Sequence, residues 1–189
     1  MKLILASSSP RRRDLLASVG LVPDKILSPE VDESPLKGEG VREYVKRIAL
    51  LKGRAVHAQV AEAYVVAADT AVELGGKIIL KPEDHDHAFQ LLSRLSGRRH
   101  RVYTGLCVIS PQGKEACRIV VTRLSLKRLS KDEIETYLSS GEWEGKSGAF
   151  SIQGPGAKFV KSISGSYTSV VGLPLYETYT LLKGLGFRG

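Results

Sequence analysis

The chain has 189 residues, 42% of them hydrophobic and 25% charged, with a formal net charge of +8. Those proportions belong to an ordinary globular protein, long enough for one large domain or two lobes sharing a core, and no stretch approaches the roughly 20 apolar residues of a membrane span. The positive balance points to polyanionic partners, phosphorylated small molecules or nucleic acid, but an aromatic content of 6% speaks against a base-stacking platform.

In chain order, Lys2 to Ala6 reads as a short buried strand, too brief an apolar run for a signal peptide, so the cytoplasm is the expected location. Ser9 is placed to cap a helix with Pro10 in its first turn; Leu15, Leu16 and Val19 give it an apolar face, and Gly20 ends it. Asp24 to Leu27 suggests a second strand, followed by a loop rich in proline, glycine and acids. From Val41 to about Ala58 the pattern is helical, with Tyr44, Ile48, Leu51 and Ala55 on one face. "YVVAADTAVELGGKIILKP" reads as a hairpin turning at Gly75-Gly76. Glu83 to Leu95 is a helix. Arg101 to Ile109 and Glu115 to Leu126 make a second hairpin, and Ser130 caps a helix to about Ser140. The glycine-rich stretch after Gly141 reads as ordered loops and short strands, and Leu173 to Leu185 as a closing helix. Hairpins mixed with helices argue for an α/β fold on a mixed sheet, with no linker dividing the chain into independent domains.

The junction "LASSSPRRRDLL" carries the strongest chemical signal. A strand that ends in hydroxyls and opens a helix presents free N–H groups, a positive dipole end and serine side chains at one point. Arg11 and Arg12 oppose that dipole in the first turn, which makes sense if an anion offsets them; the alternative is a capped surface helix with solvated arginines. Asp69 interrupts an apolar strand, where an acid is costly unless paired, metal-bound or catalytic. Glu73, further along, is expected to point outward. Asp32 and Glu33 add carboxylates in a loop, and Lys52 and Lys81 add cations; such a set suits a metal–phosphate site. Gln153, able to donate and accept at once, suits the reading of a base edge, although a turn-stabilising role is the simpler view.

Two motifs are decoys. "GEWEGKS" is one residue short of a phosphate-binding loop and follows a helix where a strand is required. "DHDH", Asp84 to His87, has the divergent side chains of a solvated helix start. Cys107 and Cys117 flank the turn "SPQGKE" and can face each other across two strands; without CxxC spacing they are expected as free thiols and not a zinc site.

Taken in order, "LASSSPRRRDLL", "VDE", "YVKRIALLKGRAV", "AADTAVELGGKIILKP", "LLSRLSG", "SGAFSIQGPGAKFV" and "GSYTSVVGLPLYET" resemble the Maf family of nucleoside triphosphate pyrophosphatases, once described as septum-formation inhibitors. The likeness spans essentially the whole chain, departing slightly in the serine run, where the commoner pattern has a glycine. It implies a single Maf-like domain over 1–189 with an elongated two-lobed fold, similar to inosine triphosphatases, and a cleft between lobes. It also implies cleavage of a nucleoside triphosphate to the monophosphate and pyrophosphate with a divalent cation, Mg²⁺ being expected and Mn²⁺ or Co²⁺ the alternatives.

Carried over by position, the resemblance gives Ser7, Arg11, Lys52 and Lys81 to the phosphates, and Glu33 and Asp69 to the metal, with Asp69 also the catalytic proton acceptor. Arg12, Thr70 and Gln153 match the set found in members acting on dTTP and UTP. The rival readings are a pyrophosphatase for modified or purine triphosphates such as 7-methyl-GTP, and a nucleotide- or nucleic-acid-binding regulator of cell division. The expected partner is the nucleoside triphosphate, not a membrane or a nucleic acid. Homodimers are common among such proteins, but no stretch here specifies an interface.

Overall fold

Strands buried on both faces organise the computed structural model, which describes residues 1–60 and 62–189. The elements are β1 (Lys2–Ala6), α1 (Pro10–Ser18), β2 (Lys25–Leu27), α2 (Val41–His57), β3 (Ala63–Leu74), β4 (Lys77–Ile79), α3 (His85–Leu95), β5 (Arg99–Ile109), β6 (Glu115–Leu126), α4 (Lys131–Leu138), β7 (Val160–Ser164), α5 (Tyr167–Val171) and α6 (Leu175–Gly184). The strands form a mixed sheet in the order β2-β1-β3-β5-β6-β7, with β4 beside β3. β1 runs parallel to β2 and β3, aligning Ile4 with Val65, whereas β3–β4 and β6–β7 are antiparallel. The chain divides into two compact units, residues 1–69, 104–120 and 172–189, and residues 70–103 and 121–171. No helix among the described residues is long and apolar enough to cross a membrane.

In the first unit, alternate strand residues feed two apolar layers. Leu3, Leu5, Tyr64, Val66, Leu106 and Val108 pack on Leu16 of α1 and on Leu181, Leu182 and Phe187 near the C-terminus. Ile4, Ala6, Val65, Ala67, Cys107 and Ile109 pack on Ala49 and Val56 of α2. Burial on both faces explains why these strands read as unbroken apolar runs. α2 sits very close to β5: an added Cβ at Gly105 would lie 2.1 Å from the Val45 carbonyl oxygen.

Two helix faces differ from expectation. Along α2 the buried stripe is Val41, Tyr44, Val45, Ile48, Ala49, Lys52, Gly53 and Val56, whereas Leu51 is 37% exposed. Steps of four from Tyr44 through Ile48 lead to Lys52, not Leu51, and the cost of turning a lysine inward is met by two carboxylates described below. In α1, Val19 is 50% exposed because the helix has already ended at Ser18, leaving Leu16 as the buried anchor.

The second unit opens with the β3–β4 hairpin, whose Gly75 and Gly76 have φ of 61° and 80°, as a tight two-residue turn requires. Asp84 caps α3 by accepting from the His87 backbone N–H at 2.7 Å, confirming "DHDH" as a helix start. Ser130 and Glu133 form a reciprocal capping box on α4. α3 and α4 pack together, and Leu91, Leu92 and Leu95 of one and Ile134 and Leu138 of the other are buried. The glycine-rich stretch forms two 3-10 turns, Ser147–Ala149 and Gly154–Phe159, ahead of β7. The Tyr137 ring meets Phe159 at 5.5 Å and Phe150 at 6.4 Å between centroids.

The closing helix expected over Leu173 to Leu185 is α6, and a short helix, α5, precedes it within the stretch expected as loops and short strands. The run "VVGLPL" breaks between them, because Gly172 and Pro174 cannot extend α5.

Glu73 also differs from expectation. It is buried, accepting from Arg101 at 3.0 Å and from the Gly76 backbone N–H. Beyond it Arg99, Arg101, Arg123, Ser125, Ser162 and Ser164 line an open polar groove of about 640 Å³. His100, 4% exposed, borders the same groove, and its Nδ1 is buried with no hydrogen-bond partner among the described residues. Burial pushes the imidazole down to about 4, with Glu73 opposing the shift.

A histidine held neutral by the fold stabilises it fully above its unfolded value near 6.5. That contribution is lost as pH falls from 6.5 towards 4, because the unfolded chain then binds the extra proton. The effect reaches about 3 kcal/mol at the acid end of the window. Urea unfolding of wild type and His100→Gln between pH 7 and pH 4 checks this: the wild type should lose stability more steeply, and parallel curves would refute it.

Candidate active site

The serine–arginine junction folds back on itself. Ser7 is 4% exposed, and its Oγ accepts from the Ser9 N–H at 3.2 Å and from Arg12 Nη1 at 3.0 Å. Arg12 Nε donates to the Gly172 carbonyl at 2.8 Å. Ser9 occupies the cap position of α1, as expected, but its side chain makes no capping bond. Burial lowers the Arg12 guanidinium from its ordinary range; Asp69 and Glu33 act to raise it and Arg11 to lower it. Arg12 thus feels both Asp69 and Glu33.

A second cluster forms around Lys52, which is 7% exposed. Its Nζ donates to Asp69 Oδ1 at 2.8 Å and pairs with Glu33 Oε1 at 2.9 Å. Asp69 stands at the end of the apolar run of β3 and is 6% exposed. Glu33 comes from the loop before α2. Tyr44 Oη donates to the Glu33 carbonyl at 3.0 Å, and Arg47 donates to the Ser34 carbonyl at 3.0 Å while pairing with Glu39. Burial first, then Asp69 and Glu33, pushes the Tyr44 phenol above its ordinary range, so it stays protonated and keeps donating.

Asp69 Oδ2 makes no hydrogen bond among the described residues. Hard carboxylate oxygens such as those of Asp69 and Glu33 fit a divalent cation such as Mg²⁺, which takes one or two carboxylates and completes its shell with water and phosphate oxygens. Among the described residues no group of three or more His, Cys, Asp and Glu is placed to hold a metal ion by itself.

Three further sequence candidates fall in the second unit. The Thr70 carbonyl accepts from Ser147 Oγ at 3.2 Å, and the Leu80 carbonyl accepts from the Gly148 N–H at 3.2 Å. One 3-10 turn therefore ties together the chain at Thr70 and the chain beside Lys81. Lys81 is exposed and makes no ion pair among the described residues. Gln153 is exposed at the end of the same segment, where its N–H bonds Ser151 Oγ at 3.2 Å and the Ser151 N–H bonds Tyr137 Oη at 3.0 Å. In the first unit, then, Ser7 meets Arg12, and Lys52 meets Glu33 and Asp69.

The family model for "Maf-like protein" matches residues 2–185. The chain belongs to the Maf-like protein family. This Maf-like protein is 48% identical to the "dTTP/UTP pyrophosphatase" of Mesorhizobium japonicum, over 99% of this chain and 93% of the relative. It is 49% identical to the protein of the same name from Sphingopyxis alaskensis, over 97% and 96%. Among solved structures it matches the Staphylococcus aureus Ham1 protein with a TM-score of 0.48 and 17% identity, over 67% of this chain and 72% of that one.

Sequence reading placed Tyr44 of this Maf-like protein only on an apolar face and missed its bond to the Glu33 carbonyl. The available signal was its spacing of two four-residue steps from Lys52, which puts both on one stripe of α2.

Proposed function

We propose that this protein hydrolyses dTTP and UTP to the monophosphate and pyrophosphate. The observation that carries the reading is the buried Asp69, fixed by Lys52 at one oxygen and open at the other, with Arg12 coupled to it electrostatically. Names shared by relatives at nearly half identity over the whole chain support the choice of substrates.

Lys52 fixes the Asp69 carboxylate, leaving Oδ2 to accept a proton from a water attacking the α-phosphorus while pyrophosphate leaves in line. Tyr44 and Lys52 hold Glu33 so that its carboxylate faces the same chemistry. Glu33 and Asp69 would hold the divalent cation, Mg²⁺ being expected, which when bound neutralises charge on the phosphate oxygens. Arg11 and the Ser7–Arg12 turn supply cation and N–H donors for phosphate. Phosphate binding by Lys81 and base reading by Arg12, Thr70 and Gln153 are the roles the family resemblance implies, each open to a single substitution.

A panel of nucleoside triphosphates, assayed separately for pyrophosphate and phosphate release, tests the reading. Equimolar pyrophosphate and monophosphate from dTTP and UTP, ahead of purine and 7-methylated substrates, is the expected result; release of phosphate alone, or a purine preference, overturns it. On the same panel Gln153→Glu should lower kcat/KM for dTTP and UTP about 10- to 100-fold, the worth of a hydrogen bond replaced by a mismatched charge. Its melting temperature should barely change, since Gln153 is exposed. An unaltered substrate profile would take Gln153 out of base recognition.

A further inference from the structure

Cys107 on β5 and Cys117 on β6 lie in the first unit and take no part in the chemistry above. Both are free thiols, with sulfurs 3.0 Å apart. The hairpin sets their register: Ser110 N–H donates to the Lys114 carbonyl at 2.9 Å, and three residues back from this pair along each strand places 107 opposite 117. Bonded and non-bonded pairs alternate along an antiparallel ladder, which makes 107/117 a non-bonded pair with α-carbons about 4.5 Å apart. That is within the separation of about 4.4–6.8 Å that a disulfide spans.

The two thiols are not equivalent. Cys107 is fully buried beside Val65, Ala67 and Ile109, whereas Cys117 is only partly buried. The close contact with Cys107 draws the Cys117 thiol below its usual range, against burial and Glu115, with Lys46 and Arg54 adding positive charge. Arg54 is anchored close by through its pair with Glu115. Cys107 is pushed the other way, by that contact and by burial. Because peroxide can reach the partly buried Cys117 and not the buried Cys107, Cys117 is the attacking sulfur and Cys107 the resolving one.

We propose that Cys107 and Cys117 are a peroxide-oxidised dithiol that closes into an intrachain disulfide across the β5–β6 hairpin. The Cys117 thiol gives up its proton and the thiolate attacks one oxygen of hydrogen peroxide; the O–O bond breaks, the departing hydroxide takes up that proton and leaves as water, and Cys117 becomes a sulfenic acid. Cys107 sulfur then attacks Cys117 Sγ; the S–S bond forms, the S–O bond breaks, and the Cys107 proton departs with the second water. Two thiols lose two electrons and one peroxide becomes two waters.

The test uses the folded wild-type chain treated with hydrogen peroxide, followed by thiol counting, intact mass and non-reducing electrophoresis. The expected result is loss of both thiols, a monomer lighter by two hydrogens, and recovery of both with dithiothreitol. With a sulfenic-acid-trapping dione present, Cys107→Ser should carry an adduct on Cys117, while Cys117→Ser stays unlabelled over the same time. Retention of both thiols, disulfides only between chains, or labelling of Cys107 in preference to Cys117 would overturn the proposal. Nucleotide turnover does not enter the readout, so the inference stands or falls apart from the proposed activity.

Discussion

Asp69→Asn is expected to lower dTTP turnover by about 100-fold or more, the range for removing a general base, while leaving the protein folded and able to bind nucleotide. The fold should survive because an asparagine Oδ1 still accepts from Lys52 Nζ, as Asp69 Oδ1 does at 2.8 Å, and Lys52 keeps Glu33 as its charged partner at 2.9 Å. What is lost is the second oxygen's ability to take a proton. Single-turnover kinetics, calorimetric titration of dTTP and a thermal melt separate the three quantities. Turnover within a few-fold of wild type would remove Asp69 from the chemistry. A collapse in melting temperature would show that the substitution reports on the buried ion pair instead, and Lys52→Met with Glu33→Gln would then be the pair to compare. Asp69→Ala is the poorer probe, since it leaves Lys52 with one partner and opens a void in a closely packed strand.

The difference between what could be read from the sequence and what could not is clearest at Lys52. Local signals placed most elements within a residue or two: the apolar run of β1, the Gly75-Gly76 hairpin and the Ser130 cap each depend on neighbours in the chain. A count of apolar residues then chose Leu51 for the inner face of α2, because a lysine is assigned to water unless carboxylates are known to await it. Those carboxylates come from a loop before the helix and a strand after it, so the inward turn of Lys52 is a tertiary fact. Glu73 illustrates the same gap: an acid on a hairpin reads as exposed until Arg101, from a neighbouring strand, is found against it. The candidate list of Ser7, Arg12, Glu33, Lys52 and Asp69 came from family resemblance as much as from residue chemistry, and the structure adds the bonds among them. Tyr44 escaped because an aromatic on a helix face satisfies the packing pattern, which hides the donation of its hydroxyl to the Glu33 carbonyl.

Gly105→Ala should be the most damaging single-methyl change outside the site. Its Cβ would lie 2.1 Å from the Val45 carbonyl oxygen, 2.5 Å from the carbonyl carbon and 3.0 Å from the Lys46 nitrogen, all backbone atoms of α2. No rotamer change relieves such an overlap, so either β5 or the helix must move. Overpacking commonly costs about 1–3 kcal/mol where side chains can adjust; a contact with backbone alone belongs at or above the top of that range. For a chain of this length, about 3 kcal/mol corresponds to a fall of about 10 °C in melting temperature. Because α2 also carries Tyr44 and Lys52, its displacement should reduce turnover in the protein that stays folded at low temperature, with dTTP affinity falling alongside kcat. Gly184→Ala, at the last residue of α6 with nothing within 4 Å of the added carbon, is the control, and its melt should match wild type or slightly exceed it. If Gly105→Ala melts within a degree or two of wild type, α2 does not sit on β5 at this distance, and the placement of Lys52 between its two carboxylates falls with it.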